Sequence, residues 1–197
     1  NDFVSPIAAE NIAANDNEKI AAKIYRDYQT TLQAYQAVDF DDLIRLPVEL
    51  FERDREVLDK WQSRLRYLLI DEYQDTNTCQ YKLVKLLTGG RGLFTAVGDD
   101  DQAIYAWRGA SVENLRNLQT DFPNLHVIKL EQNYRSTVRI LKAANNLIGN
   151  NPKLFEKKLW SELGMGDAIK VSTMRDDDQE AETVVMDLLA HKFQHRT

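Results

Sequence analysis

Apolar residues recur at helical spacing over much of the chain. Between residues 15 and 37 they stand three or four positions apart, which predicts an amphipathic helix along Ile20, Ile24, Tyr28, Leu32 and Tyr35. Similar patterns predict helices over five further ranges: 41–51, 55–66, 77–87, 138–148 and 180–193. The N-terminal part of the chain is therefore predicted to be helical.

Short apolar runs separate these helices. Residues 67–70 and 93–97 are continuous runs, a pattern typical of strands in a parallel sheet that is covered on both faces. Residues 126–130 are also strand-like, and residues 168–174 alternate as a strand does.

Two adjacent carboxylates follow the first apolar run. Ligands of parallel sheets collect outside the carboxyl ends of the strands, so Asp71 and Glu72 are predicted to stand at a sheet tip. There Asp71 is suited to hold a phosphate-bound Mg²⁺, and Glu72 is suited to orient a water. The alternative is an ordinary solvated strand end, and the run alone favours a nucleotide site only modestly.

The second apolar run leads into a polar loop with two aromatics. Gln102 follows the strand end and is placed to read the terminal phosphate of a nucleotide, although a capping role is the alternative. Tyr105 and Trp107 offer flat faces on which unpaired bases stack, at roughly 1–3 kcal/mol per base. Such aromatics are more often core residues, but small neighbours favour a loop here.

Three blocks in series carry a family resemblance. Residues 71–75, 98–109 and 131–136 resemble motifs II, III and IV of the UvrD/Rep family of superfamily 1 DNA helicases, in the same order and spacing. Residues 38–43 are similar to the segment that precedes motif II in that family. The resemblance covers nearly the whole chain and is weakest over about the first 35 residues.

The resemblance implies a fold and a domain organisation. The expected class is α/β, an incomplete RecA-like parallel sheet of the P-loop NTPase type with flanking helices and a helical N-terminal segment. Residues 1–39 would end the helical subdomain 1B. Residues 40–134 would form the second half of RecA-like domain 1A, and residues 135–197 would begin RecA-like domain 2A.

Several nucleotide-binding roles also come from the resemblance. It implies that Gln74 couples the site to nucleotide state, that Tyr134 stacks on adenine and that Arg135 reaches the γ-phosphate, an arginine-finger role worth 10³–10⁵ in rate. An exposed Gln at a helix start and an ordinary surface Tyr-Arg pair are the alternatives.

The DNA-binding roles come from the same source. The resemblance implies that Trp107 stacks on a DNA base, with Tyr105 at or beside the strand and Arg108 helping to contact phosphates. Arg108 is equally suited to a structural ion pair.

The implied activity is that of an ATP-dependent motor. It translocates 3′→5′ on single-stranded DNA and unwinds duplex, with ATP and Mg²⁺ as cofactors and single strands, duplex junctions and replication or repair proteins as partners. A cytoplasmic, nucleoid-associated location in a bacterium is expected. The alternatives are a RecB-like subunit of a helicase–nuclease and a helicase-derived module that binds DNA without hydrolysis.

One part of an NTPase site is missing from the sequence. No Gly-x-x-x-x-Gly-Lys-[Ser/Thr] phosphate loop occurs, and the glycines at 89–92 and 164–166 are expected to form turns. By resemblance that loop lies upstream, so the chain is expected to be an internal segment of a helicase that is inactive alone.

Charge and composition limit the kinds of binding site and the classes of protein that fit this chain. A net charge of −6 argues against a broad phosphate-binding surface and predicts weak DNA binding by this segment alone. The single cysteine, Cys79, excludes an internal disulfide, and the three histidines show no ligand spacing, so zinc is not predicted. No apolar run approaches the length of a membrane span.

Overall fold

The computed structural model describes residues 4–195, which form two compact units. The first unit holds the chain up to Lys129 together with Asn151–Glu156, and the second holds Leu130–Asn150 and the residues from Lys157 onward. Residues 1–3 and 196–197, at the ends of the outermost predicted domains, lie outside the described residues.

Helices dominate both units. The first contains α1 (Pro6–Ile12), α2 (Asp16–Ala34), α3 (Asp42–Arg53), α4 (Arg55–Arg64), α5 (Thr78–Thr88) and α6 (Glu113–Asp121), and the second contains α7 (Val138–Ile148) and α8 (Asp177–His195). The six helices expected from apolar spacing are confirmed. The pattern missed α1 and α6, which are only 7 and 9 residues long.

Side-chain caps fix where several helices begin. Asn15 accepts a hydrogen bond from the Glu18 amide at the start of α2, and Asp54 accepts one from Val57 at the start of α4. Asn77 and Gln80 form a reciprocal capping box at the start of α5. Such caps satisfy amide donors that the helix leaves unpaired, at about 1 kcal/mol each.

Two short parallel strands form the sheet of the first unit. β1 (Leu68–Ile70) pairs with β2 (Phe94–Ala96) in parallel, with Leu68 opposite Phe94 and Ile70 opposite Ala96. The coarse prediction of a helical α/β unit with a parallel sheet is confirmed.

Only one face of this sheet is covered within the described residues. Its covering cluster comes from the loop after β1, α5 and α6, and contains Tyr73, Tyr81, Leu115 and Leu118. Leu69, whose side chain points to the other face, is 76% exposed. The expectation that the first apolar run is covered on both faces is therefore wrong for the described chain, because helices pack on one side alone.

Two predicted strands are not formed. Residues 126–130 and 168–174 have no regular secondary structure. A strand needs a hydrogen-bonding neighbour, and among the described residues neither segment pairs with another strand. The apolar pattern of a segment does not show whether a partner strand exists, so it could not exclude these two strands.

A charged hydrogen-bond cluster ties α5 to α6. Asp121, near the end of α6, accepts hydrogen bonds from the Tyr81 hydroxyl and from Lys85 Nζ, the latter at 2.8 Å. These bonds, with Lys85 first and Tyr81 second, lower the pKa of the Asp121 carboxyl. Burial and the same carboxylate raise the pKa of Tyr81, which keeps its hydroxyl protonated as the donor.

Within residues 4–195, the structure has no helix that combines the length and the apolar character needed to cross a membrane.

Replacing Asp121 with Asn should destabilise the chain in a pH-dependent way. Because the folded-state pKa is depressed, the stabilisation is present above the unfolded-state pKa and is lost as the pH falls through the folded-state pKa. At neutral pH, Asp121→Asn should lower the free energy of unfolding by about 1 kcal/mol, discounted for solvent exposure. In urea titrations the difference from wild type should shrink as the pH falls below the ordinary Asp pKa of about 3.9 and vanish once the pH is below the depressed folded-state pKa.

Asp59→Asn is the matched control. Asp59 pairs with Arg55 one helical turn away on the exposed face of α4, so its loss should cost no more than about 0.5 kcal/mol. If both variants lower the free energy of unfolding equally, the stabilisation does not come from the hydrogen bonds of Asp121 with Tyr81 and Lys85.

Candidate functional site

The carboxyl ends of β1 and β2 bring two polar loops side by side. Backbone pairing continues past the strands, since the Val97 amide donates to the Ile70 carbonyl at 2.8 Å and the Tyr73 amide donates to the Val97 carbonyl at 2.9 Å. The loop after β1, residues 71–77, is called the carboxylate turn here. It lies directly against the start of the loop that follows β2.

Asp71 and Glu72 are exposed at this sheet edge. Glu72 adopts a left-handed backbone conformation, with φ 48° and ψ 45°, which is uncommon for a residue with a side chain. The Asp71 Oδ1 atom accepts the Glu72 amide at 2.9 Å. Strained backbone of this kind concentrates at functional sites, because the surrounding structure must hold it in place.

Gln74 connects the two loops. It is only 2% exposed, its Nε2 donates to Glu72 Oε2 at 2.8 Å, and its Oε1 accepts the Asp99 amide at 3.0 Å. Both ends of the amide are thus engaged within the protein. The side chain that the resemblance assigns to nucleotide coupling is oriented toward Glu72 and the second loop.

Gly98 makes this bridge possible. A Cβ built at Gly98 would lie 2.9 Å from Gln74 Oε1 and 3.3 Å from the Tyr73 Cβ. Contacts this short require the Gln74 amide to move. The absence of a side chain at position 98 therefore lets the second loop approach the carboxylate turn.

Gln102 is exposed in the short 3₁₀ turn Asp100–Gln102. Its Nε2 donates to Asp99 Oδ2 at 2.7 Å, while Asp99 Oδ1 caps the turn by accepting the Asp101 amide at 3.1 Å. Asp99 thus fills the capping role that was the alternative for Gln102, and it orients the Gln102 side chain.

Three neighbouring carboxylates in the second loop, those of Asp99, Asp100 and Asp101, come within 4.8 Å of one another. Each one is engaged by the protein. Asp100 accepts the amides of Leu154 and Phe155, and Asp101 pairs with Lys153 Nζ at 3.0 Å. Asp100 and Asp101 therefore hold residues 153–155 within the first unit, while Asp99 bonds inside its own loop.

Asp71 fits a magnesium ion better than that group does. Its carboxylate is exposed at the strand end, and Oδ1 is the atom that accepts the Glu72 amide. Mg²⁺ prefers oxygen ligands and is commonly held by one or two carboxylates plus substrate phosphates. Asp71 would supply one such carboxylate at this sheet edge, and the other ligands would come from substrate phosphates and water.

The aromatics of the second loop project from a tight turn, residues 105–109, called the stacking turn here. Trp107 is 74% exposed, and its ring centroid lies 6.3 Å from that of Tyr105. The Arg108 guanidinium lies 4.6 Å from the Trp107 centroid and 4.9 Å from the Tyr105 centroid. Gly109 closes the turn at φ 88°, a conformation that favours glycine. The expectation that both rings project from a loop is confirmed.

Tyr134 and Arg135 belong to the second unit. Both are exposed, and the Tyr134 hydroxyl donates to Gln132 Oε1 at 2.9 Å. Asn133 Oδ1 accepts the Arg135 amide at 3.0 Å and the Ser136 amide at 2.7 Å, which shapes the turn before α7. Exposure of both side chains is compatible with the implied nucleotide roles and with an ordinary surface pair, so these roles stay predictions.

The structure thus collects Asp71, Glu72, Gln74 and Gln102 at one sheet edge of the first unit, with the stacking turn on the same loop as Gln102. Sequence reasoning missed Asp99, which orients Gln102 and receives the Gln74 bridge. The Gly98-Asp99 pair after an apolar run was the available signal, because glycine there permits close approach of two loops.

Comparison with known families matches two profiles. The UvrD/REP helicase N-terminal domain matches residues 1–123, and the UvrD-like helicase C-terminal domain matches residues 128–197.

Curated relatives agree with these profiles. The chain is 55% identical to the ATP-dependent DNA helicase Rep of Escherichia coli over all 197 residues, which span 29% of that protein. It is 46% identical over 190 residues to Rep of Buchnera aphidicola from Acyrthosiphon pisum, covering 96% of the chain and 30% of the relative. It is 43% identical over 188 residues to PcrA of Leuconostoc citreum, covering 95% and 25%. The chain therefore spans less than a third of the length of these relatives.

Gly98→Ala should weaken the contact between the two loops. The added methyl group meets the buried Gln74 amide, and overpacking of this kind typically costs about 1–3 kcal/mol. Urea unfolding of the chain should show that loss, and the amide resonance of Asp99 should shift as its hydrogen bond lengthens.

Gly90→Ala is the matched control, because a Cβ at Gly90 meets nothing within 4 Å. It should leave stability within about 0.5 kcal/mol of wild type. A Gly98→Ala variant as stable as Gly90→Ala would show that the close approach is not required.

Proposed function

Because the chain belongs to the UvrD/REP helicase family, we propose that it forms the central part of an enzyme that couples ATP hydrolysis to 3′→5′ movement along single-stranded DNA and to duplex separation. The proposal is supported by the hydrogen bond that ties the carboxylate turn to the loop carrying the stacking turn. Gln74 joins the carboxylate turn to Asp99, on the loop that continues into the exposed Trp107.

The carboxylate turn supplies the hydrolytic groups of the proposed site. Asp71 would hold Mg²⁺, which supplies charge neutralisation on the phosphates when it is bound with ATP. Glu72 orients and deprotonates the attacking water, and Gln102 reads the γ-phosphate. Support comes from the exposure of these three side chains at the carboxyl ends of adjacent strands.

Two exposed residues of the second unit also have proposed nucleotide roles. Tyr134 stacks on the adenine ring, and Arg135 brings positive charge to the γ-phosphate. Both side chains are exposed, and Asn133 holds the backbone between them through two hydrogen bonds. A fixed turn limits the entropy lost when these side chains order on a ligand.

The stacking turn supplies the grip on DNA. In this proposal Trp107 stacks on a base with Tyr105 beside it, while Arg108 contacts a phosphate. An exposed cation–π contact is worth about 0.5–1 kcal/mol, whereas stacking a base on an aromatic is worth about 1–3 kcal/mol. A base can therefore displace the Arg108 guanidinium from the rings, and the released cation is then available to the DNA backbone.

The domain organisation and the cellular setting belong to the same proposal. Residues 1–39 end subdomain 1B, residues 40–134 belong to RecA-like domain 1A, and residues 135–197 begin domain 2A. Support for a division into two domains comes from the two family profiles, which match residues 1–123 and 128–197. Duplex junctions and replication or repair proteins are the proposed partners, in the bacterial cytoplasm and at the nucleoid.

The named relatives favour this function over the alternatives. Rep and PcrA are both named as ATP-dependent DNA helicases, which supports a helicase over a subunit of a helicase–nuclease. The presence of Asp71, Glu72 and Arg135 supports hydrolysis over a module that only binds DNA.

Glu72→Gln should abolish hydrolysis while ATP binding persists. The test protein is a full-length helicase in which this chain replaces the matching segment of Escherichia coli Rep, called the exchange helicase here. The new amide keeps an oxygen that can accept from Gln74, so the geometry survives while the base is lost. Loss of a general base typically reduces the rate by about 10²–10⁴-fold. Steady-state ATPase assays and fluorescent-nucleotide titrations measure the two effects.

Glu162→Gln, an exposed position in the second unit, is the matched control and should leave both quantities unchanged. Hydrolysis by Glu72→Gln within a few-fold of the parent exchange helicase would rule out Glu72 as the base.

Trp107→Ala should weaken the grip on DNA without impairing the nucleotide site. Losing one stacked base costs roughly 1–3 kcal/mol of single-strand affinity. Basal ATPase of the exchange helicase should barely change, whereas unwinding should fall much further, because a motor without its grip slips. Fluorescence anisotropy with single-stranded DNA and basal ATPase should be measured on the same preparation.

Trp61→Ala is the control for removing an exposed tryptophan. Trp61 is half-exposed on α4 and has its own cation neighbour, Arg64, at 5.9 Å. Trp61→Ala should leave the affinity for single-stranded DNA unchanged. Trp107→Phe should restore much of the affinity that Trp107→Ala loses. Collapse of basal ATPase with intact DNA affinity would instead assign Trp107 to packing.

A further inference from the structure

The loop between β2 and α6 is tied to the carboxylate turn at both of its ends. The tie at its beginning is the Gln74 bond to the Asp99 amide. The tie at its end lies just beyond the stacking turn, where the chain returns to residues 76 and 77. Gln102 and Trp107 lie between the two ties. The carboxylate turn therefore holds both ends of the segment that carries them.

The second tie is a compact, buried set of hydrogen bonds. Asn114, on α6 and 4% exposed, donates from Nδ2 to the Thr76 carbonyl at 2.8 Å and lies 3.2 Å from Thr76 Oγ1. The Ser111 amide donates to the same carbonyl at 3.0 Å. Asn77 and Ala110 form an isolated antiparallel bridge beside it.

The residues of this tie also form hydrogen bonds on two sides. One set reaches the backbone beside Gln74, and the other reaches the stacking turn. On one side, Thr76 Oγ1 donates to the Tyr73 carbonyl at 2.7 Å, next to Gln74 and its bond to Glu72. On the other side, the Ala110 amide donates to the Tyr105 carbonyl at 3.3 Å, inside the stacking turn. Hydrogen bonds and the short backbone steps between them thus connect the carboxylate turn with the backbone of the stacking turn.

Asn114 is the one side chain that joins α6 to Thr76 in this series. The Asn114 side-chain amide is buried and uncharged. Helix α6 fixes the position from which this amide donates to Thr76. Removing it leaves the Thr76 carbonyl with its Ser111 partner, so no backbone acceptor is stranded. The fold should therefore survive the change while the tie loosens.

We infer that Asn114 is a positioning residue that couples the nucleotide site to the DNA-stacking turn. In this inference Asn114 contacts neither the nucleotide nor the DNA. It fixes the position of the stacking turn relative to the carboxylate turn, so that a movement of one turn moves the other. The inference rests on the proposed function, and it assigns to α6 a role that the helicase motifs do not include.

Coupling between two sites is measured as a ratio of affinities. In the exchange helicase, the dissociation constant for single-stranded DNA should be determined with and without Mg²⁺ and a non-hydrolysable ATP analogue. Such ratios typically lie in the range of about 5–150-fold. Asn114→Ala should move the ratio several-fold toward 1, while the affinity for DNA in the absence of nucleotide stays unchanged.

Two variants on the same helix separate coupling from stability. Asn117→Ala removes an exposed asparagine one turn along α6 and should leave the ratio as in the parent. Leu118→Ala loosens the buried cluster under α6 without touching Thr76, so it should lower the melting temperature and keep the ratio.

The outcomes distinguish this inference from the proposed function. An unchanged ratio in Asn114→Ala overturns the inference, as does an equal loss in Leu118→Ala, because the effect then follows stability. A parent ratio of 1 also overturns it while leaving hydrolysis and unwinding intact. Failure of the parent to hydrolyse ATP or bind DNA would overturn the proposed function itself.

Discussion

The close approach of two loops at the carboxyl ends of β1 and β2 is the constraint on which the site depends. A Cβ at position 98 would press on the Gln74 amide and on the Tyr73 Cβ, so a side chain there would force the Gln74 amide to move. That approach places the Asp99 amide 3.0 Å from Gln74 Oε1. Without it, the Gln74 side chain would lose its bond to the second loop, and Glu72 would lose its link through Gln74 to Asp99.

The packing beneath the loops keeps this contact in place. Tyr73 is fully buried between the strands and the helices α5 and α6, in a cluster with Tyr81 and Leu118. Burying the ring contributes on the order of 2 kcal/mol relative to leaving it exposed, and its buried hydroxyl, which has no hydrogen-bond partner among the described residues, offsets about 1–3 kcal/mol of that gain. Residue 73 therefore anchors the middle of the carboxylate turn, while its neighbours Glu72 and Gln74 are left to form the site.

Periodicity and strand-end chemistry predicted a large part of this structure, for identifiable reasons. Long helices such as α2 repeat their apolar positions often enough to be recognised, and Asp71 and Glu72 are adjacent to a strand in sequence. The tie between Thr76 and Asn114 joins residues 38 positions apart, and no local pattern encodes it. The segments at 126–130 and 168–174 failed as strands because strand formation depends on a distant partner, whereas helix hydrogen bonds are local.

The backbone of Glu72 shows how the two loops depend on each other energetically. A left-handed conformation costs a residue with a Cβ roughly 1–2 kcal/mol, whereas each hydrogen bond to a charged group contributes about 1.5–3 kcal/mol when it is sheltered. The part-buried bond from the Gln74 amide to Glu72 Oε2 offsets part of that cost, whereas the bond from the Glu72 amide to Asp71 Oδ1 is exposed and contributes less. Since Gln74 is itself held by the Asp99 amide, the orientation of Glu72 is set by the second loop as well as by its own. Any movement of that loop therefore changes the geometry of the candidate base before any ligand touches it.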